Sequence, residues 1–96
     1  MLSFQILWFL SNRPMYGQEL ATEIGKRRGE KPNPGTIYPA LKDLAGRGLI
    51  APSPKGHKTV YELTDRGRSA LRRATEYFKR AFGEIFDSTL SMPKAE

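Results

Sequence analysis

The stretch NPGTIYPALKDLAGRGLI, residues 33–50, decides how the chain is read. Ile37, Ala40, Leu41 and Leu44 recur at spacings of three and four, which marks one buried helix face. Asn33 stands where a cap is expected. Pro34 takes the first helical position, where a missing N–H costs nothing. Pro39 is harder to place. Projected at about 100° per residue with Ile37 inward, Gly35, Pro39, Lys42 and Gly46 fall on the outer face, flanked by Thr36 and Tyr38. A helix that starts at Pro34 carries Pro39 inside it, at a cost on the order of 3 kcal/mol unless the surroundings absorb the bend. A shorter helix capped by Thr36 would stay straight, with Pro39 in its first turn. Either way, the outer face is small and polar. Gly46 and Gly48 bracket the stop, and Leu49-Ile50 opens an extended run that Pro52 and Pro54 confine to a sheet edge.

The run MLSFQILWFL is apolar nearly all round, so a heavily buried helix is expected from Leu2 to Ser11. It lacks a basic leading segment and a small-residue cleavage site, which argues for a core helix rather than a signal peptide. Asn12-Arg13-Pro14 breaks it, and Tyr16-Gly17 leads into a second helix, Gln18 to Arg28, with Leu20, Ala21 and Ile24 on its stripe. Gly29 suits the C-terminal end, and the polar run to Pro32 is a loop. Further on, Lys58 to Leu63 alternates, with Thr59, Tyr61 and Leu63 on one side, so a two-stranded hairpin is expected. Thr64 is a good cap for a long helix reaching about Leu90. On it, Leu71, Ala74, Phe78, Ala81 and Ile85 repeat at helical spacing, and Phe82 and Phe86 widen the stripe.

Ninety-six residues suffice for one domain with a modest core. Sixteen Lys and Arg against ten Asp and Glu give a formal charge of +6, which favours polyanions, nucleic acid or an anionic membrane surface. Membrane binding is weakened because the basic residues of the last helix are balanced by Asp65, Glu76, Glu84 and Asp87. The absence of cysteine excludes disulfides and thiolate metal sites, and a cytoplasmic location is the default. Catalysis has little to work with: the single histidine, His57, lies in an expected turn, and no acid pair or phosphate-cradling loop is evident. No cofactor or metal is expected.

Three helices, a hairpin and a helix is the order of a winged helix-turn-helix module. The expected fold is mainly α with a small β-hairpin: a winged helix-turn-helix over residues 1–64, a long C-terminal dimerisation helix over 65–91 in the same compact domain, and a flexible tail over 92–96. The strings PMYGQELATEI, NPGTIYPALKDLAGRGLI and KTVYELTDRG, followed by one long helix, resemble the PadR-like transcriptional regulators from Ile6 to about Ile85. The resemblance implies a homodimeric repressor, paired through the last helix and bound to double-stranded palindromic operator DNA by the third helix and wing. Family wings are often denser in arginine than SPKGHKTVYEL, which implies weaker backbone attraction or another DNA preference.

The DNA-binding candidates are Tyr16, Lys31, Asn33, Gly35, Thr36, Tyr38, Pro39 and Lys42, with Lys55, His57 and Lys58 in the wing. Tyr38 offers a hydroxyl, Lys42 a phosphate or guanine donor, and Thr36 a phosphate bond near the helix N-terminus. Exposed residues of these types are, taken singly, ordinary surface. The dimerisation candidates are Leu71, Ala74, Phe78, Ala81, Phe82, Ile85 and Phe86. The resemblance adds a small aromatic effector at the dimer interface, with Trp8 or Phe82 lining its pocket, although aromatic stripes usually just pack. The competing class is a protein-interaction module that pairs through the last helix without specific DNA binding.

Overall fold

The computed structural model describes residues 1–93; the expected tail lies partly outside it, at 94–96. The chain runs α1 (Leu2–Asn12), β1 (Met15–Tyr16), α2 (Gly17–Arg28), α3 (Pro34–Gly46), β2 (Ile50–Lys55), β3 (Lys58–Leu63) and α4 (Asp65–Leu90). Three helices and a small sheet form a head, from which α4 projects.

The core is the set that helical periodicity selects. Ile6, Leu20, Ile24, Ile37, Leu41 and Ile50 are its largest fully buried side chains, contributed by all three head helices and β2. The second helix ends on Gly29 at φ +79°, the left-handed conformation that glycine adopts without strain. The expectation of a nearly all-round buried α1 is corrected. Ile6, Leu7, Phe9 and Leu10 are buried, while Trp8 remains 42% exposed, met from α2 only by the guanidinium of Arg27.

The third helix starts at Pro34 and holds Pro39 inside it, so the shorter helix beginning near Thr36 is set aside. The carbonyl of Asn33 accepts from the Thr36 and Ile37 N–H groups at 3.0 and 3.1 Å, which closes the first turn. The Asn33 side chain makes no capping bond to a backbone N–H; its Oδ1 accepts from the Thr36 hydroxyl at 3.2 Å instead. Pro39 has no N–H for the Gly35 carbonyl four residues back, and the exposure of both residues leaves that carbonyl open to water.

The sheet has three antiparallel strands in the order β1-β3-β2, not the two expected. Met15 pairs with Tyr61 and Tyr16 with Val60. A two-residue strand carries no alternation of its own, and only the pairing with β3 defines it. Pro52 and Pro54 lie on the edge strand β2 at the same parity, so their missing N–H groups point the same way and the ladder to β3 survives. The wing turns through Gly56 at φ +63° and His57, the pattern of a two-residue hairpin turn with glycine first.

A tight joint connects head and α4. The Thr64 hydroxyl donates to the Gly48 carbonyl at 2.7 Å and accepts from the Gly67 N–H at 2.9 Å. A Cβ on Gly67 would stand 2.0 Å from the Leu49 carbonyl oxygen, so only glycine lets the first turn of α4 lie against the start of β2. Beyond the joint, α4 packs along α1, with the Phe4 and Phe78 rings 5.2 Å apart.

Candidate nucleic-acid interface

The end of β1, the start of α2, α3 and the β3 side of the wing, out to its turn, converge on one cleft of about 240 Å³. It is lined by Tyr16, Gly17, Gln18, Tyr38, His57, Lys58, Thr59 and Tyr61. Tyr38 lies across the first turn of α2: a Cβ on Gly17 would be 3.0 Å from its Cε1 and its hydroxyl oxygen. A glycine is therefore what lets the ring sit down, 43% exposed, with its hydroxyl at the cleft. On its other side Tyr38 borders a second, more apolar groove of about 400 Å³ between α2 and the start of α3, where Lys31 and Asn33 also lie.

The wing supplies the positive charge. Lys58 Nζ stands 5.1 Å over the Tyr16 ring, a cation–π arrangement that holds the ammonium beside the cleft. Lys55 pairs directly with Lys58 across the hairpin. Like charges in that position repel, and a polyanion laid against the wing relieves the repulsion. Burial, and then the neighbouring Tyr38, push the Tyr61 hydroxyl above the usual tyrosine pKa, so it stays a neutral hydrogen-bonding group. At the other edge, the Tyr16 N–H and then Arg13 and Lys58 hold the Glu19 carboxyl below its ordinary value, against an opposing effect of burial. Glu19 accepts from the Tyr16 N–H at 2.9 Å and pairs with Arg13 at 3.1 Å.

The structure thus brings Tyr16, Tyr38, His57 and Lys58 together. Thr36 lies instead in a polar recess with Arg28, Lys31 and Asn33 at the start of α3. Gly35, Pro39 and Lys42 are exposed along α3 and line neither cleft, and Lys55 lies at the wing's outer end. Sequence reasoning passed over Gly17, Gln18, Thr59 and Tyr61. Tyr61 carried a signal, since strand alternation put it on one face with Thr59, but nothing local pointed to Tyr38 on the other side of that cleft.

Of the α4 candidates, Leu71 is buried in its own chain's core and Ala74 and Phe78 are half-buried. Ala81, Phe82, Ile85 and Phe86 are exposed. Among the described residues, Phe82 does not line the groove at Trp8. Trp8 lines a shallow groove with Phe4, Gln5, Phe9 and Arg27, whose guanidinium carbon is 5.3 Å from both the Trp8 and Phe9 rings. No group of three or more metal-binding side chains, and no helix long and apolar enough to cross a membrane, occurs among the described residues.

A three-helix head with a three-stranded wing and a clustered tyrosine–lysine face is a winged helix-turn-helix protein. The signature of the Transcriptional regulator PadR-like family matches residues 6–73, and the chain belongs to that family. It is 34% identical over 82 residues to Transcriptional regulator Rv3488 of Mycobacterium tuberculosis, covering 78% of this chain and 76% of that one. It is also 37% identical over 49 residues to the Transcriptional activator GvpE of Haloferax mediterranei, which covers 51% of this chain and 26% of that protein. A protein encoded in transposon Tn4556 of Streptomyces fradiae is 30% identical over 88% of this chain. The chain spans only about a quarter of the length of those last two relatives. Among solved structures, RosR of H. salinarum superposes with a TM-score of 0.78 at 27% identity, over 94% of this chain and 88% of that one. A PadR family transcription regulator of Clostridium difficile, at 24% identity and TM-score 0.77, shares the fold over 94% of this chain and 98% of that one.

Proposed function

We propose that this PadR-family transcriptional regulator is a homodimeric repressor that binds an inverted-repeat operator, with one α3 in each of two successive major grooves. The observation that carries the reading is the convergence of Tyr16, Tyr38, His57 and Lys58 on one cleft at the junction of α2, α3 and wing. A duplex major groove is about 12 Å wide and admits a helix whose outer side is small. Gly35 and Pro39 give α3 such a side, flanked by Tyr38 and Lys42 for base edges. Lys31, Lys55 and Lys58 supply the salt-dependent phosphate attraction.

The homodimer is supported by the exposed apolar end of α4, where Phe82, Ile85, Phe86 and Leu90 have no covering element among the described residues. A second copy covers such a stripe with its own. Work in the cytoplasm follows from this role. The Trp8 groove, about 270 Å³, is where a small aromatic effector would lie, since its walls are aromatic and Arg27 supplies a cation at its rim. Family membership disfavours the rival reading of a protein-interaction module without DNA binding.

Selection of bound duplexes from a random pool tests the proposal. An enriched inverted repeat, with half-sites about one helical turn apart, is the expected result. Recovery of no sequence preference would sink it. On the selected operator, Lys58→Ala should weaken binding and lower the salt slope by about one unit.

A further inference from the structure

We infer that Glu19, an acid on the side of the molecule that meets a polyanion, is a positioning residue for operator recognition that strengthens specific binding despite its charge. The inference rests on the DNA-binding reading above. Simple electrostatics gives the opposite sign, because a carboxylate near phosphates repels them and its removal should tighten binding to any duplex.

The geometry explains why the simple sign is reversed. Glu19 sits in the first turn of α2, where the positive end of the helix favours an acid. Its Oε1 accepts the Tyr16 N–H at 2.9 Å and its Oε2 takes Arg13 Nη1 at 3.1 Å. That same Arg13 nitrogen reaches the Pro14 carbonyl at 3.3 Å, so the segment entering β1 is tied down twice. Tyr16 is thus fixed through its backbone by Glu19 and against β3 by its pairing with Val60, while its ring underlies the Lys58 ammonium at 5.1 Å. One carboxylate therefore sets Tyr16 through its oxygen and, through its charge, holds Arg13 and the Lys58 ammonium at the outer end of the wing. Lys58 in turn lowers the proton affinity of Glu19, as expected of two charges that feel each other. Without the negative charge, Lys58 and Arg13 remain cations but lose their fixed places. Attraction to DNA in general is then kept, and discrimination between sequences is lost.

Glu19→Gln isolates this effect, since the amide oxygen can still accept the Tyr16 N–H while the charge is gone. Fluorescence anisotropy on the selected operator and on a random duplex of equal length, at moderate salt, gives the ratio of specific to non-specific affinity. The expected result is a fall of about tenfold in that ratio, roughly the discrimination of one base contact. Random-duplex affinity should be unchanged or higher, and the far-ultraviolet spectrum native. Lys58→Ala should cost less specific affinity in the Glu19→Gln background than in the wild type, because the two side chains act together. Three results would overturn the inference: tighter binding to both duplexes with an unchanged ratio, equal loss on both with a lowered melting temperature, or full additivity with Lys58→Ala. If the wild-type protein itself shows no preference, the DNA-binding reading fails and this inference with it; a preference that Glu19→Gln leaves intact removes the inference alone.

Discussion

In the head, Ile6, Leu20 and Ile24 are 0% exposed, while on the far half of α4 Ile85 and Phe86 are 59% and 63% exposed. The same chemistry is treated in opposite ways, and the cause is length. At about 1.5 Å per residue the eleven residues of α1 run less than half as far as the twenty-six of α4. The apolar stripe of α4 keeps its helical period past Phe78, but the neighbour it packs on ends near Phe4. Periodicity therefore tells which side of a helix seeks cover, and the length of the neighbour tells whether the chain provides it.

The largest test of this contrast is a matched pair of truncations. Leu20→Ala should lower the unfolding free energy in urea by about 2–5 kcal/mol. Phe86→Ala in dilute protein should change it by less than about 0.5 kcal/mol, yet raise the self-association constant for dissociation at least tenfold by sedimentation. Equal destabilisation by both would mean that α4 folds back on its own head. Next in size is the joint between the two regions. Gly67→Ala should cost about 3 kcal/mol by forcing α4 away from Leu49, at the upper end of what overpacking does; a neutral result would show that the contact yields freely. The smallest effect is confined to the head. Because the Tyr16 N–H and the Arg13 cation hold the folded Glu19 carboxyl below the ordinary glutamate range, it contributes stability that is present above that range and lost as pH falls through the folded value. Wild type and Glu19→Gln melting temperatures should therefore converge on acidification below about pH 4. Parallel curves down to strong acid would contradict this sign.

Much of the head was legible in the sequence. The period of Ile37, Leu41 and Leu44, Pro34 at the helix start, and the alternation of Lys58–Leu63 each fix local structure by a local rule, and the structure follows them. What escaped reading depends on partners distant in the chain. Met15-Tyr16 is a strand only because Val60 and Tyr61 lie beside it. Gly17 read only as the lead into the second helix, but its role is to leave room for Tyr38, twenty-one positions on. Glu19 stands off the apolar stripe of its helix, and that position is what brings it to Tyr16 and Arg13. The reading of Pro39 as a surface residue holds, while the doubt about where its helix begins needed the hydrogen bonds of Asn33 to resolve.

The glycine joint at the base of α4 has a mechanical consequence. With the Thr64 hydroxyl bonded into Gly48 and no gap at Gly67, the long helix is a lever rigidly set in the head. Its length of about 39 Å turns a rotation of five degrees at the base into a displacement of roughly 3 Å at the tip, and the reverse holds equally. In a pair of such chains, whatever wedges apart or draws together the aromatic tips resets the separation of the two heads. The stagger of two binding surfaces is then governed from a place that touches neither.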